Sequence, residues 1–136
     1  MPVEFCFEDL ENLIEYEIGK IRRMIPFGKL SVLYFSVPHI DDAEKVYKLL
    51  VTVLRESDAI FVKDKNFFLV LPLTDKEGAE FIYTAIEGFF DKKFPKVIST
   101  YPIDAENAEE LLKTIVKNAK FNYEVELNDF FIKENF

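Results

Sequence analysis

Two short stretches hold the residues that could do chemistry. Arg55-Glu56-Ser57-Asp58 sets a guanidinium and a carboxylate three positions apart. The planar fork of Arg55 can grip a phosphate or the edge of a base, and Asp58 can accept from N–H groups. The same pair also suits a helix end, where arginine complements the macrodipole and aspartate opens a turn. A few positions on, Lys63-Asp64-Lys65-Asn66 fills a tight hairpin with charge, where such turns favour a glycine. Asp64 is the one carboxylate of that tetrad. A single acid between two lysines is a poor magnesium site, because Mg²⁺ takes one or two carboxylates alongside substrate phosphates.

The remaining reactive residue types are sparse. His39 is the only histidine, so a histidine-based metal site or triad has little to draw on, and a solvated strand-end residue is the simpler reading. Ser36 and Ser99 have no base beside them in sequence, and no nucleophile elbow is present. The single cysteine, Cys6, excludes an internal disulfide framework and a cysteine zinc site, and reads as a small buried hydrophobe. Lys92, Lys93 and Lys96 cluster around Phe94-Pro95 and read as a solvated turn.

The elements that must position these residues follow from hydrophobic periodicity. Phe7, Leu10, Leu13, Ile14, Ile18 and Ile21 recur at helical spacing, with acids early and bases late as the macrodipole favours. Pro26 and Gly28 stop this helix, expected over 7–25. Leu30 to Val37 is nearly continuously apolar and β-rich, which predicts a central strand. Asp41 or Asp42 is expected to cap a second helix bearing Val46, Leu50 and Leu54. "AIFV" and "FFLVLP" are two strands of a hairpin. Thr74 to Glu77 has the capping-box pattern for a third helix, and "PKVIST" is a fourth strand. Asp104 is expected to cap a fourth helix, and "FNYEVEL" reads as a last edge strand.

That order predicts one α+β domain over 1–136. Its 30–127 portion is a ferredoxin-like, palm-type core: a mostly antiparallel sheet of about five strands flanked by about four helices. Residues 128–136 form an aromatic tail in which Phe130, Phe131 and Phe136 either cover the sheet or dock on another subunit. The first helix begins near the start of the chain, so no sensor domain is expected ahead of it.

Composition narrows the function classes. The chain has 136 residues, 49% hydrophobic and 31% charged, with fifteen Phe that fall mostly in periodic segments and read as core. A net charge of −8 argues against general nucleic-acid binding, which works through Lys and Arg on phosphates. It argues equally against reading "FVKDKNF" as a base-stacking surface. No apolar run reaches the ~20 residues of a transmembrane helix and the N-terminus is acidic, so a soluble, cytoplasmic protein off the membrane is expected.

With these residues in view, the chain resembles a GGDEF domain, the fold that makes cyclic di-GMP from two GTP. The likeness runs from about Phe7 to Lys120. "FGKLSVLYFSVPHI" resembles the family's short turn and strand ending in D-x-D-H-F, with His39 at the family's His. "LRESDAIFV" and "FFLVLP" resemble the strands flanking the signature hairpin. "STYPIDAENAEELL" resembles the family's segment near its C-terminal end.

The resemblance also shows what has been replaced. Family catalysis uses carboxylates from the first strand and the hairpin to hold two metals against the triphosphate. Those strand positions map to Ser36 and Pro38. The signature turn maps to Lys63, Asp64, Lys65, Asn66 and Phe67, with only the final Phe kept. Both glycines are gone, and with them the close approach of backbone to phosphate. The segment after the first strand, which reads guanine in the family, is shortened to "IDDAEK". Diguanylate cyclase activity is therefore expected to be lost, with no catalytic residues, no metal site and no cofactor.

One motif survives: Arg55 and Asp58 match the family's R-x-x-D inhibitory site for cyclic di-GMP, one residue nearer the turn than usual. The resemblance thus implies a non-catalytic module of bacterial signalling that binds a protein partner in trans or forms a homodimer. The alternative is a cyclic di-GMP receptor through Arg55 and Asp58.

Overall fold

The computed structural model describes residues 2–127. Its strands are β1 (Val3–Glu4), β2 (Leu30–Ser36), β3 (Ala59–Lys63), β4 (Asn66–Pro72) and β5 (Lys96–Tyr101). Its helices are α1 (Leu10–Met24), α2 (Ile40–Val53), α3 (Lys76–Phe90) and α4 (Ala108–Tyr123). One sheet runs in the order β1-β3-β4-β2-β5, antiparallel throughout except for the parallel β1–β3 pair. The expected α+β architecture, a mostly antiparallel five-stranded sheet with four helices, is what the chain adopts. The aromatic tail expected at 128–136 lies outside the described residues.

The sheet is covered on both faces, which explains why β2 reads as a continuous apolar run without alternation. Val32, Tyr34, Phe61, Phe68 and Val70 point to α1 and α4. Leu33, Phe35, Ile60, Phe67, Leu69 and Leu71 point to α2 and α3. Strand side chains alternate between faces, so a strand buried on both sides needs apolar residues at every position. Each such residue contributes about 1.5–3 kcal/mol when fully buried.

Helix α1 begins one turn later than its periodicity suggests, because Phe7–Asp9 forms a 3-10 turn ahead of it. Its buried stripe is Leu10, Ile14, Ile18 and Ile21. The stop at Pro26 has a geometric partner in Gly28, where a Cβ would stand 2.9 Å from Ile21 Cγ2 and 3.0 Å from the Ile25 carbonyl oxygen.

Four expectations about element ends and one about burial are corrected. "FNYEVEL" is not a strand: α4 continues through Tyr123. It ends where Glu124 turns left-handed at φ 58 and the N–H groups of Glu124 and Val125 bond to the Lys120 and Ala119 carbonyls. The fifth strand is instead Val3–Glu4 at the opposite edge. The N-cap of α4 is Asn107, whose side chain accepts from Glu110 N–H, because the Asp104 carboxylate is taken by Thr100 N–H and Lys76. The N-cap of α3 is Asp75 rather than Thr74, and that of α2 is His39 rather than either aspartate. Cys6 is exposed, not buried.

Candidate functional site

The hairpin is tighter than its four charged residues suggest. Lys63 and Asn66 pair as the last rung of β3 and β4, leaving Asp64 and Lys65 as the turn. Asp64 takes a left-handed conformation, φ 57, which aspartate tolerates better than most residues. Asn66 donates to the Lys63 carbonyl at 3.3 Å and accepts from the Tyr34 hydroxyl at 2.7 Å. The Lys63 ammonium lies 5.3 Å from the centre of the Phe7 ring. Phe67 is fully buried and stacks on Phe35 at 5.0 Å.

The end of β2 meets this turn directly. Ser36 lies opposite Asn66 in register, and Val37 N–H bonds to the Lys65 carbonyl. The structure therefore brings together Ser36, Pro38 and the Lys63–Phe67 turn. The groups it assembles there are a hydroxyl, an amide, lysine ammonium groups and a single carboxylate, that of Asp64. Among the described residues no group of three His, Cys, Asp or Glu side chains is arranged to hold a metal ion.

Arg55 and Asp58 are brought together with each other. Asp58 Oδ1 accepts from one Arg55 terminal nitrogen at 2.7 Å, and Oδ2 accepts from Arg55 backbone N–H at 2.8 Å and from Nε at 3.3 Å. The Asp58 side chain is 1% exposed and that of Arg55 50%. The Arg55 fork also donates to the Pro72 carbonyl at 2.7 Å and to Thr74 Oγ1 at 2.9 Å. The hydrogen bond to Asp58 raises the arginine pKa above its ordinary value. The pair thus ties the α2–β3 turn to the β4–α3 turn, at the end of the sheet away from the hairpin.

The basic cluster of the sequence divides. Lys96 is held by Glu80, both carboxylate oxygens at 2.6 Å. Lys92 and Lys93 instead join Lys65 around a cleft of about 460 Å³, with Ser36, Val37, Pro38, Asn66, Phe94, Pro95 and Val125 also lining it. The Tyr83 hydroxyl fixes the floor, accepting from Phe94 N–H at 2.7 Å and donating to its carbonyl at 2.8 Å. Tyr83 and Phe94 are both buried, and burial is the main cause of the raised Tyr83 pKa. Sequence reasoning missed Tyr83 and the union of Lys65 with Lys92 and Lys93. An amphipathic α3 with one tyrosine on its buried face was the only available signal. His39 is exposed at the start of α2.

The order of the strands, the helices on both faces and the hairpin beside the end of β2 make a fold shared with solved GGDEF domains. The GGDEF domain of YfiN (TpbB) from Pseudomonas aeruginosa superposes with a TM-score of 0.72 at 16% identity, covering 86% of this chain and 88% of that one. A sensory box/GGDEF family protein from Caulobacter crescentus gives 0.59 at 14% identity, over 86% and 93%. No family model and no curated protein matches the chain by sequence. The likeness is thus one of fold: the chain has the fold of these GGDEF domains.

Proposed function

We propose that this chain is a degenerate, non-catalytic GGDEF-like domain, a cytoplasmic signalling module that acts by binding a protein partner in trans or a second copy of itself. The observation that carries the reading is the composition of the hairpin end. Metal-assisted phosphoryl chemistry needs carboxylates that converge on the reacting phosphates. Here Ser36 ends the strand with Pro38 two residues beyond it, and Asp64 is the one acid of a turn it shares with Lys63 and Lys65. Cyclase activity is lost in this reading because the end of β2 offers no carboxylate and the turn offers only one.

The Arg55–Asp58 geometry favours this over the receptor alternative. Asp58 places both carboxylate oxygens on Arg55, and one terminal nitrogen of Arg55 carries its contacts to Asp58, Pro72 and Thr74. A ligand that engaged Asp58 as the motif requires would have to break those bonds and draw a buried carboxylate to the surface. Calorimetric titration with cyclic di-GMP, and separately with GTP and magnesium, tests the proposal. No heat from either supports it. Cyclic di-GMP binding that disappears in Arg55→Ala would establish the receptor instead.

A further inference from the structure

We propose that the cleft between the hairpin turn and the α3–β5 loop is a docking site for an acidic, aromatic-bearing peptide segment of a partner protein. The inference rests on the interaction-module reading above and names the surface and the chemistry of its partner.

Charge is the first argument. The chain carries a net −8, yet among the described residues none that lines this cleft is acidic and three are lysines. Elsewhere Lys20, Lys48, Lys76, Lys96, Lys113 and Lys120 each pair with a carboxylate. Lys65, Lys92 and Lys93 make no ion pair among the described residues, and the closest polar contact of Lys65 is the Pro38 carbonyl at 3.4 Å. All three are exposed. Concentrating unpaired cations in one concavity of an acidic molecule creates a local field that attracts negative segments and excludes most of the protein's own surface.

Shape is the second. Beneath the lysines the lining is Val37, Pro38, Phe94, Pro95 and Val125. A compact inorganic anion gains nothing from such a floor, whereas a peptide with aromatic side chains between its acids buries them on it. The floor is also rigid, since Tyr83 holds Phe94 through both backbone groups. Asp64 (φ 57) and Asp91 (φ 52) hold left-handed backbone immediately before Lys65 and Lys92. Both cleft-lining loops are therefore set by specific turns.

The test is fluorescence anisotropy with a short fluorescein-labelled peptide alternating Glu and Phe. A Gln-for-Glu analogue and inorganic pyrophosphate serve as comparison ligands. The Glu-Phe peptide is expected to bind, to weaken with added salt, and to bind about tenfold or more weakly to Lys65→Glu/Lys92→Glu/Lys93→Glu. The variant Lys48→Glu/Lys113→Glu/Lys117→Glu changes net charge equally on outer helix faces and is expected to bind as the parent does. Thermal melts of both variants confirm that they fold. Equal binding by the two variants, pyrophosphate competing as well as the peptide, or no binding by the parent each overturns the proposal. The last result, together with no GTP turnover and no cyclic di-GMP binding, leaves the interaction-module reading intact on another face. GTP turnover overturns that reading whatever the peptide does.

Discussion

Arg55 and Asp58 form an ion pair whose two ends live in different solvents: the carboxylate is 1% exposed and the guanidinium side chain 50%. Removing the arginine strands a buried charge, whereas removing the acid frees a cation that water can reach. Arg55→Ala is therefore expected to destabilise the fold by about 1–3 kcal/mol. Asp58→Ala with Arg55→Ala should cost less than the two single changes summed. Urea unfolding of the double-mutant cycle measures this, and strict additivity would show that the pair does not hold the two turns together.

Tyr83 is expected to matter through Phe94. Tyr83→Phe keeps the ring but leaves the buried N–H and carbonyl of Phe94 without their hydroxyl partner. The expected cost is about 1–3 kcal/mol. The observable is a lower urea midpoint, with backbone amide shifts concentrated at Phe94 and the α3–β5 loop. An unchanged midpoint would mean that Phe94 finds other partners.

Alkaline pH should destabilise the protein through Tyr34 and Tyr83, whose pKa values burial raises above the ordinary 10.0. The folded state holds the phenolic proton more tightly than the unfolded chain. The stabilisation is therefore fully present below pH 10.0 and is lost as pH rises from there through the raised folded values. Urea midpoints measured on either side of that pH should show the fall. Tyr34→Phe should make it shallower, and an identical slope in that variant would contradict the assignment.

Phe67, the one turn residue that matches the signature in the resemblance to GGDEF domains, is expected to serve packing. It is fully buried and stacked on Phe35, so Phe67→Ala should cost about 3–5 kcal/mol and Phe67→Leu much less. Thermal unfolding checks it. A small effect of the alanine would mean that the residue serves something other than the core.

The main strands and helices were legible because each carries its own hydrophobic period, and the hairpin because two apolar runs flank a charged tetrad. What escaped was set by competition between distant groups. Asp104 looks like a helix cap until Thr100 and Lys76 claim its carboxylate. Thr74 looks like one until Arg55 donates to its hydroxyl. The stretch from Phe121 to Leu127 alternates like a strand in part, yet α4 needed only one further turn to absorb its start. Val3–Glu4 is too short to show any period. At the candidate site, the turn and Arg55–Asp58 were visible as residues, but that the pair closes on itself, and that Lys65 meets Lys92 and Lys93, depends on folding.

The central claim is that a GGDEF fold persists here without its chemistry. The most direct test is an assay for cyclic di-GMP formation from GTP with Mg²⁺ or Mn²⁺, run beside an active GGDEF enzyme and followed by chromatography. The account predicts no product above the protein-free control with either metal. Product formation abolished by Asp64→Asn would contradict it, because the one acid of the turn would then be holding a metal after all.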